Sequence, residues 1–248
     1  MTLSGFVAAA GSTVGARHRH ADRPSQDAFA LHRFPGGLAA VVADGCGSRP
    51  RSELGAALGA RMCCRALELA SRRSPSGPEL VADALGSLLT RLGRVLGSLP
   101  AATEHEVSDA FLFTLLGAVV TERQAVVFAL GDGIVALNGE VFLLEQDNAP
   151  SYLGYHLLDR TAPAARCWTL ETGALESLLL GSDGLGELGA LDELWTEPRY
   201  VTRPDALRRR LTLASRDAQH IDWEARRVLR QPARLRDDAT CVVVRRSP

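Results

Sequence analysis

The chain has 248 residues, of which 46% are hydrophobic and 23% are charged, and its formal net charge is −1. This balance is ordinary for a soluble globular protein and gives no reason to expect binding to nucleic acid or to a membrane surface. The length allows one large domain or two small ones.

The cysteine content bears on the compartment. Five cysteines without a CxxC pair argue against a disulfide framework and against a zinc knuckle. A reducing environment is the simplest expectation. Because the sequence shows neither a signal peptide nor a stretch of membrane-spanning length, we expect a cytoplasmic protein.

The first part of the chain predicts three antiparallel strands followed by two helices. Residues 5–13 and 28–34 are short apolar or alternating runs, and a polar loop rich in Arg and His separates them. The apolar run 38–43 follows the turn signal Pro35-Gly36-Gly37, which predicts pairing with the preceding strand. Residues 52–71 and 79–99 then carry apolar side chains at helical spacing, which predicts an antiparallel helix pair on one sheet.

Strand patterns return after Pro100. Asn138-Gly139 is the strongest hairpin signal, because both residues tolerate a positive φ between two apolar runs. The predicted strands cover residues 110–120, 125–130, 134–137, 141–144, 165–172, 177–181 and 239–245. Residues 204–214 and 218–231 are predicted to form two more helices.

The order of these elements predicts the fold class. It runs from strands through two helices, many strands and two further helices to a last strand, without a linker or an internal repeat. We expect one α+β domain over residues 1–248. Its architecture would be a four-layer α-β-β-α sandwich, with two antiparallel β-sheets face to face and a helix pair outside each.

Four aspartates stand where polar segments meet predicted strands. Asp44 and Asp183 each end an apolar run and precede a glycine, whereas Asp27 and Asp237 come just before a strand. Carboxylates at strand ends suit a hard divalent cation, and two such ions would balance four negative charges. Spacing alone equally allows four independent turn residues, because it does not show whether the side chains converge.

Several short segments carry a family resemblance. They are Gly15 to His18, Gln26-Asp27-Ala28, Val42 to Ser48, Thr114-Leu115-Leu116, Gly131-Asp132-Gly133, Asp147-Asn148-Ala149-Pro150, Leu180 to Gly184 and Asp237-Asp238-Ala239-Thr240. In this order they resemble the metal-dependent serine/threonine protein phosphatases of the protein phosphatase 2C type, and the bacterial branch is the more similar one. The resemblance covers about residues 11–245 and implies the same α-β-β-α sandwich.

The resemblance also implies a reaction and roles for individual residues. The reaction would be hydrolysis of phosphoserine or phosphothreonine in proteins by a hydroxide that bridges two Mn²⁺ or Mg²⁺ ions. Asp44 would bridge the ions and the Gly45 carbonyl would bind one of them. Asp183 and Asp237 would hold the other ion, and Asp27 would hold metal or metal-bound water.

Three further aspartates lie in or near these motifs. Asp109 lies where family members often carry a ligand for a third, weaker metal ion, and the alternative is an ordinary loop residue. Asp132 and Asp238 lie beside the matching motifs, and we interpret them as structural residues of a turn and of a strand start.

The chain departs from the family pattern at three positions. Many members have Glu where Gln26 stands, a phosphate-binding Arg where Asp22 stands, and His where Cys46 stands. Arg23 and His18 lie in the same loop as Asp22 and are the candidates for phosphate binding. A cysteine protonates a leaving alkoxide poorly, so Cys46 indicates that water or another group does so.

These departures leave a second function open, namely a catalytically weak or inactive phosphatase-like regulatory module that binds a phosphoprotein partner. A phosphatase of small phosphoesters is a third and weaker alternative. For the leading function the expected partner is a phosphoprotein, such as a substrate of a bacterial serine/threonine kinase, and a monomer is expected. Residues 150–172 are predicted to form a flap beside the site.

Overall fold

Two five-stranded antiparallel sheets lie face to face in the computed structural model, which describes residues 5–73, 77–98, 104–146, 150–159, 161–203 and 205–247. The strands are β1 (Phe6–Thr13), β2 (Asp27–Phe34), β3 (Gly37–Asp44), β4 (Leu115–Thr121), β5 (Gln124–Leu130), β6 (Gly133–Leu137), β7 (Glu140–Leu144), β8 (Arg166–Glu171), β9 (Ser177–Gly181), β10 (Ala218–Asp222), β11 (Arg227–Gln231) and β12 (Ala239–Arg246). The first sheet has the order β1-β12-β9-β6-β7, and the second has the order β2-β3-β4-β5-β8.

The helices lie outside the two sheets. They are α1 (Ala16–His20), α2 (Ser52–Ser71), α3 (Gly77–Gly97), α4 (Glu104–Ala110), α5 (Leu153–Asp159), α6 (Glu193–Thr196), α7 (Arg199–Thr202) and α8 (Ala206–Ala214). The long pair α2 and α3 covers the second sheet, while α6, α7 and α8 cover the first. The predicted α+β sandwich with two antiparallel sheets is therefore confirmed. Among the described helices, none is both long and apolar enough to cross a lipid bilayer.

Strand β3 shows how the apolar sequence creates the layers. Successive side chains of a strand point to opposite faces. Ala39, Val41 and Ala43 accordingly join the core under α2 and α3. Leu38, Ala40 and Val42 join the core between the two sheets. The run is continuously apolar because both faces of the strand are buried.

The predicted strand pairings near the functional residues are confirmed. β2 and β3 pair in full register from Phe34 opposite Gly37 to Asp27 opposite Asp44. The turn between β6 and β7 has φ of 51° at Asn138 and 88° at Gly139, as a tight hairpin of this kind requires. Helix α2 has the predicted bounds, and α3 begins and ends two residues earlier than predicted. Its predicted last residue, Leu99, lies outside the described residues.

The helix predicted over residues 218–231 is wrong, because this segment is the β-hairpin β10–β11. Its composition suits a helix, but Asp222 Oδ1 accepts a hydrogen bond from the backbone N–H of Ala225, and Arg226 adopts a φ of 50°. A turn closed by an aspartate side chain competes with helix formation. The outer layer on the first sheet is consequently three short helices rather than a second long pair.

Two other boundaries differ from the sequence predictions. Strand β4 begins at Leu115 rather than at Ala110, because residues 104–110 form α4. The predicted flap over residues 150–172 contains α5 and also β8, which pairs with β5 as the edge strand of the second sheet. Only the earlier part of that segment is therefore free to lie over the site.

A glycine pair tests how closely α2 must approach the segment that leads to β4. A Cβ at Gly55 would collide with the carbonyl oxygen of Ala110, whereas a Cβ at Gly86 in α3 would meet nothing within 4 Å. We expect Gly55→Ala to lower the free energy of unfolding by about 1–3 kcal/mol through overpacking. Gly86→Ala is expected to raise it by about 0.5–1 kcal/mol, because alanine favours the helix. Urea denaturation measures both values, and equal changes in the two variants would contradict the close approach.

Candidate metal centre

The first two predicted ligands meet at one edge of the second sheet. Asp27 begins β2 and Asp44 ends β3, and the two residues are direct cross-strand partners. Their carboxyl groups lie close enough to share a hydrogen bond. The antiparallel register therefore forces two carboxyl groups together without help from the rest of the chain.

The other two predicted ligands come from the first sheet. Asp183 follows β9 at the start of a 3₁₀ turn, and Asp237 stands just before β12. These strands are neighbours in the sheet, so both residues arrive at the same end. The two segments touch so closely that a Cβ at Gly184 would collide with the carbonyl oxygen of Asp238. This close approach requires a glycine after Asp183.

Ser182 joins the two halves of the site across the sandwich. Its hydroxyl is fully buried and donates a hydrogen bond to Asp27 Oδ2 at 2.6 Å. The backbone N–H of Thr240 on β12 donates in turn to the Ser182 hydroxyl at 3.0 Å. A chain of hydrogen bonds thus links β12 and β9 in the first sheet to β2 in the second.

A cavity of about 150 Å³ opens where these segments meet. Asp44, Asp183 and Asp237 line it together with Gly45, while Asp27 lies beside Asp44. The remaining lining residues are His18, Gln26, Cys46, Gly47, Asp132, Pro150, Tyr152 and Asp238. The structure therefore brings together the four aspartates that the sequence singled out.

Hydrogen bonds between backbone groups fix the position of the chain at the Asp44 end of the cavity. The backbone N–H of Thr114 donates to the Asp44 carbonyl oxygen at 2.8 Å, and that of Cys46 donates to the Leu112 carbonyl oxygen at 2.9 Å. The backbone N–H of Gly45 donates to the Gln26 carbonyl oxygen at 3.1 Å. These bonds hold the turn after β3 in one position, so the Asp44 carboxyl group enters the cavity from a rigid base.

Asp238 organises the loop before β2. Its carboxylate accepts hydrogen bonds from the backbone N–H of Gly15 at 2.8 Å and of Gln26 at 2.7 Å, and it lies 2.8 Å from His18 Nδ1. These contacts join the two ends of the loop between β1 and β2 to the start of β12. They support the structural role that the sequence suggested for Asp238, and they aim His18 at the cavity.

Burial and neighbouring negative charges raise the pKa values of the acidic groups of the site. Burial raises the pKa of Asp44 well above its usual range, and the charges of Asp27 and Asp183 raise it further. Burial, with a smaller contribution from the charge of Asp238, raises the pKa of Asp27 to about 7 even though Ser182 donates a hydrogen bond to it. Burial and the charges of Asp237 and Glu187 likewise raise the pKa of Asp183. Negative charge at this site therefore lacks sufficient compensation from the protein.

The chain matches the family model of protein phosphatase 2C over residues 14–222. This chain belongs to the protein phosphatase 2C family. The matched range contains Asp27, Asp44 and Asp183 and ends before Asp237. No curated protein shows significant sequence similarity to the chain.

Solved structures of bacterial phosphatases share the fold. Serine/threonine phosphatase Stp1 from Staphylococcus aureus is 13% identical with a TM-score of 0.62, covering 100% of this chain and 98% of that one. PppA, described as a key regulatory component of T6SS in Pseudomonas aeruginosa, is 20% identical with a TM-score of 0.59 and full coverage of both chains. The catalytic domain of the phosphatase PstP, in complex with two manganese ions, is 16% identical with a TM-score of 0.59, covering 97% and 98%.

The donor set of the cavity fits a hard divalent cation. Carboxylate oxygens predominate, and the shared rise in their pKa values shows that positive charge would stabilise them. Gln26 adds a further sign. Its amide nitrogen donates to Ser52 Oγ at 2.6 Å and to the Arg49 carbonyl oxygen at 2.8 Å, yet its buried Oε1 has no hydrogen-bond donor in the described structure. An unpaired amide oxygen at the wall suits a cation or its water.

Two of the predicted site residues lie elsewhere. Asp109 lies within ion-pair distance of Arg51 at 3.6 Å and of His105 at 3.4 Å, and it is not among the described residues that line the cavity. Arg23 donates to the carbonyl oxygen of Arg49 at 3.3 Å on the exposed side of its loop. Of the two phosphate-binding candidates, only His18 lines the cavity.

The sequence reasoning missed two residues of the cavity wall. Asp132, interpreted as a turn residue, lines the cavity, and burial and the charge of Asp183 raise its pKa. Tyr152 follows the Asp147-Asn148-Ala149-Pro150 motif, of which residues 147–149 lie outside the described part of the chain. Its side chain lies beside the Cys46 thiol in the cavity wall. The position of Tyr152 just after a matching motif was the sequence signal that could have identified it as a site residue.

The crowded carboxyl groups predict an unusual pH dependence for the metal-free protein. An aspartate whose pKa is higher in the folded than in the unfolded state destabilises the fold as pH rises between the two values. We therefore expect the melting temperature in chelator to fall between about pH 4 and pH 7. Asp44→Asn should flatten this fall and raise the melting temperature at pH 7, since it removes one of the repelling charges.

Scanning calorimetry in chelator at a series of pH values tests this expectation. Asp205→Asn is a suitable control, because the Asp205 side chain is 81% exposed and lies far from the site in sequence. A lower melting temperature for Asp44→Asn at pH 7 would contradict the proposed repulsion.

Proposed function

We propose that this chain is a divalent-metal-dependent protein phosphatase that hydrolyses phosphoserine and phosphothreonine. The supporting observation is the convergence of Asp44, Asp183 and Asp237 from two sheets on one small cavity, with Asp27 beside them. Membership of the protein phosphatase 2C family supports the interpretation of this cavity as the site of phosphate ester hydrolysis. The two manganese ions in the complex of PstP support Mn²⁺ or Mg²⁺ as the ions here.

The acidic residues would hold the ions, with the Gly45 carbonyl as an additional oxygen ligand. Bound divalent ions would supply positive charge opposite the phosphoryl oxygens and would activate a water molecule as the nucleophile. Asp27, held by the Ser182 hydroxyl at 2.6 Å, would keep its neighbour Asp44 in position. A buried carboxylate with two partners has few orientations open to it, so the ligand set is preorganised.

The wall of the cavity also carries hydrogen-bond donors. His18 is oriented by its contact with Asp238, and Tyr152 presents its hydroxyl group beside Cys46. Burial, followed by the neighbouring Cys46, raises the pKa of Tyr152, so its hydroxyl keeps its proton at neutral pH. Among the described residues that line the cavity there is no arginine. We assign orientation of the phosphate to His18 and protonation of the departing serine oxygen to Tyr152.

Metal dependence is the first test of this function. We expect the wild type to hydrolyse p-nitrophenyl phosphate and a phosphothreonine peptide with Mn²⁺ and to lose both activities in chelator. Millimolar Mn²⁺ should raise its melting temperature, since a ligand that binds only the folded state stabilises that state. Asp44→Asn should lose both the activity and the thermal shift.

Asp109→Asn is the matched control, because Asp109 is also an aspartate but pairs with Arg51 and His105 outside the cavity. It should keep the activity and the thermal shift. Activity that survives chelator, or that persists in Asp44→Asn, would contradict the proposed function. A thermal shift without turnover on either substrate would instead indicate the phosphatase-like binding module.

Tyr152→Phe tests the proposed proton donor. The nitrophenolate ion leaves without a proton, whereas the alkoxide of serine needs one. Loss of a general acid costs on the order of 10²–10⁴ in rate for a leaving group that needs the proton. We expect such a loss of kcat with the phosphoserine peptide and little change with p-nitrophenyl phosphate. Equal losses on the two substrates would show that Tyr152 has only a structural role, and Tyr155→Phe serves as the control.

A further inference from the structure

The β10–β11 hairpin stands outside the sandwich. Its two strands pair with each other as a separate two-stranded sheet, and within the described structure both of its outer edges are unpaired. All residues from 216 to 232 are exposed except Asp222, which is partly buried. The family match ends at Asp222, so the turn and the second strand lie beyond the matched range.

The base of the hairpin is firmly attached to the body of the protein. The backbone N–H groups of Arg234 and Leu235 both donate to the Ala214 carbonyl oxygen, at 2.8 and 3.1 Å. Asp217 Oδ1 accepts from the backbone N–H of Ala233 at 2.9 Å, and Leu235 is fully buried. The hairpin is therefore an arm with a fixed root.

One face of the hairpin is apolar and exposed. Ile221 and Val228 are cross-strand partners whose side chains are 46% and 56% exposed. Trp223, in the turn, is 80% exposed. The opposite face carries the ion pair of Asp222 and Arg227 at 3.4 Å, together with the exposed Leu229. Apolar side chains grouped on an unsupported two-stranded sheet are typical of a surface that a partner covers.

Charge identifies the kind of partner. Residues 216–234 contain five arginines and three carboxylates, whereas the whole chain has a net charge of −1. Arg230 lies two residues from Val228 on the same face, and Arg226 ends the turn. Within the described structure neither guanidinium has a carboxylate at ion-pair distance. A second copy would place arginines of two identical faces together, so an acidic partner is favoured over self-association.

We propose that the face formed by Ile221, Trp223, Val228, Arg226 and Arg230 docks an acidic, apolar segment of a partner protein. An extended segment that carries apolar and acidic residues in turn at every second position matches this surface, because every second side chain of an extended segment points to the same face. Its apolar side chains cover Ile221, Trp223 and Val228, and its carboxylates pair with the two arginines. The proposal does not depend on catalysis in the metal cavity.

Labelled synthetic peptides test the docking with the full chain. The probe is the octapeptide Val-Ser-Glu-Ser-Val-Ser-Glu-Ser (the Glu/Val peptide), and the comparison peptides replace its Glu residues by Lys (the Lys/Val peptide) or its Val residues by Ser. Fluorescence anisotropy measures binding, and a blue shift of the tryptophan emission that is absent in Trp223→Phe reports the contact. We expect binding of the Glu/Val peptide alone, and weakening at high salt.

Charge reversal supplies the decisive comparison. Arg226→Glu with Arg230→Glu should weaken binding of the Glu/Val peptide by at least about tenfold, which corresponds to about 1.4 kcal/mol. The matched control is Arg61→Glu with Arg94→Glu, two exposed arginines on α2 and α3, and it should bind normally. Melting temperature and turnover of p-nitrophenyl phosphate verify that both variants are folded.

Three results would overturn the proposal. They are no binding of the Glu/Val peptide, equal binding by the Arg226/Arg230 variant, and equal binding of the Lys/Val peptide. Sedimentation velocity adds a fourth, since a dimer of the wild type that Val228→Ser abolishes would assign the face to a second copy of the chain.

Discussion

Mutual repulsion between carboxyl groups is the constraint on which the candidate site depends. Cross-strand pairing places Asp27 and Asp44 side by side, and the first sheet adds Asp183 and Asp237 at the same edge. Burial strengthens the repulsion because little water remains to screen it. The fold tolerates this arrangement because two sheets with large apolar cores hold the strand ends in place. Such stored repulsion favours a ligand of opposite charge, which is the physical basis for a cation site.

The supporting contacts are as informative as the acids themselves. Ser182 ties the two sheets together through Asp27, and Asp238 ties the loop before β2 to β12. Ser182 orients Asp27, and Asp238 orients His18, so both residues act on the site through another side chain. The structure also shows the surroundings of Gln26 and Cys46, two positions where the chain departs from the family pattern. Gln26 leaves a buried oxygen without a hydrogen-bond donor among the described residues, and the Cys46 thiol lies 3.2 Å from the Ser48 hydroxyl, with Tyr152 beside it.

The metal cavity and the β10–β11 hairpin are two surfaces of different character. The cavity is enclosed by rigid strand ends, whereas the β10–β11 hairpin presents apolar and basic side chains to solvent. The two surfaces differ in charge and in exposure, so they suit ligands of different chemistry. The arm returns to the body immediately before Asp237, which places a docking surface and a metal ligand on the same short stretch of chain.

The sequence by itself determined the two antiparallel sheets, the long helices α2 and α3 and the four strand-end aspartates, because each depends on local periodicity or on motif order. It failed at the β10–β11 hairpin, where helical composition is overridden by the turn at Asp222 and by cross-strand pairing of Ile221 with Val228. Only the tertiary structure decided that the aspartates converge and that Asp132 and Tyr152 join them. It also separated Asp109 and Arg23 from the cavity. Residues far apart in the chain meet only through the order of the strands in the sheets and through packing. The spacing of residues along the sequence therefore does not show which of them are close in space.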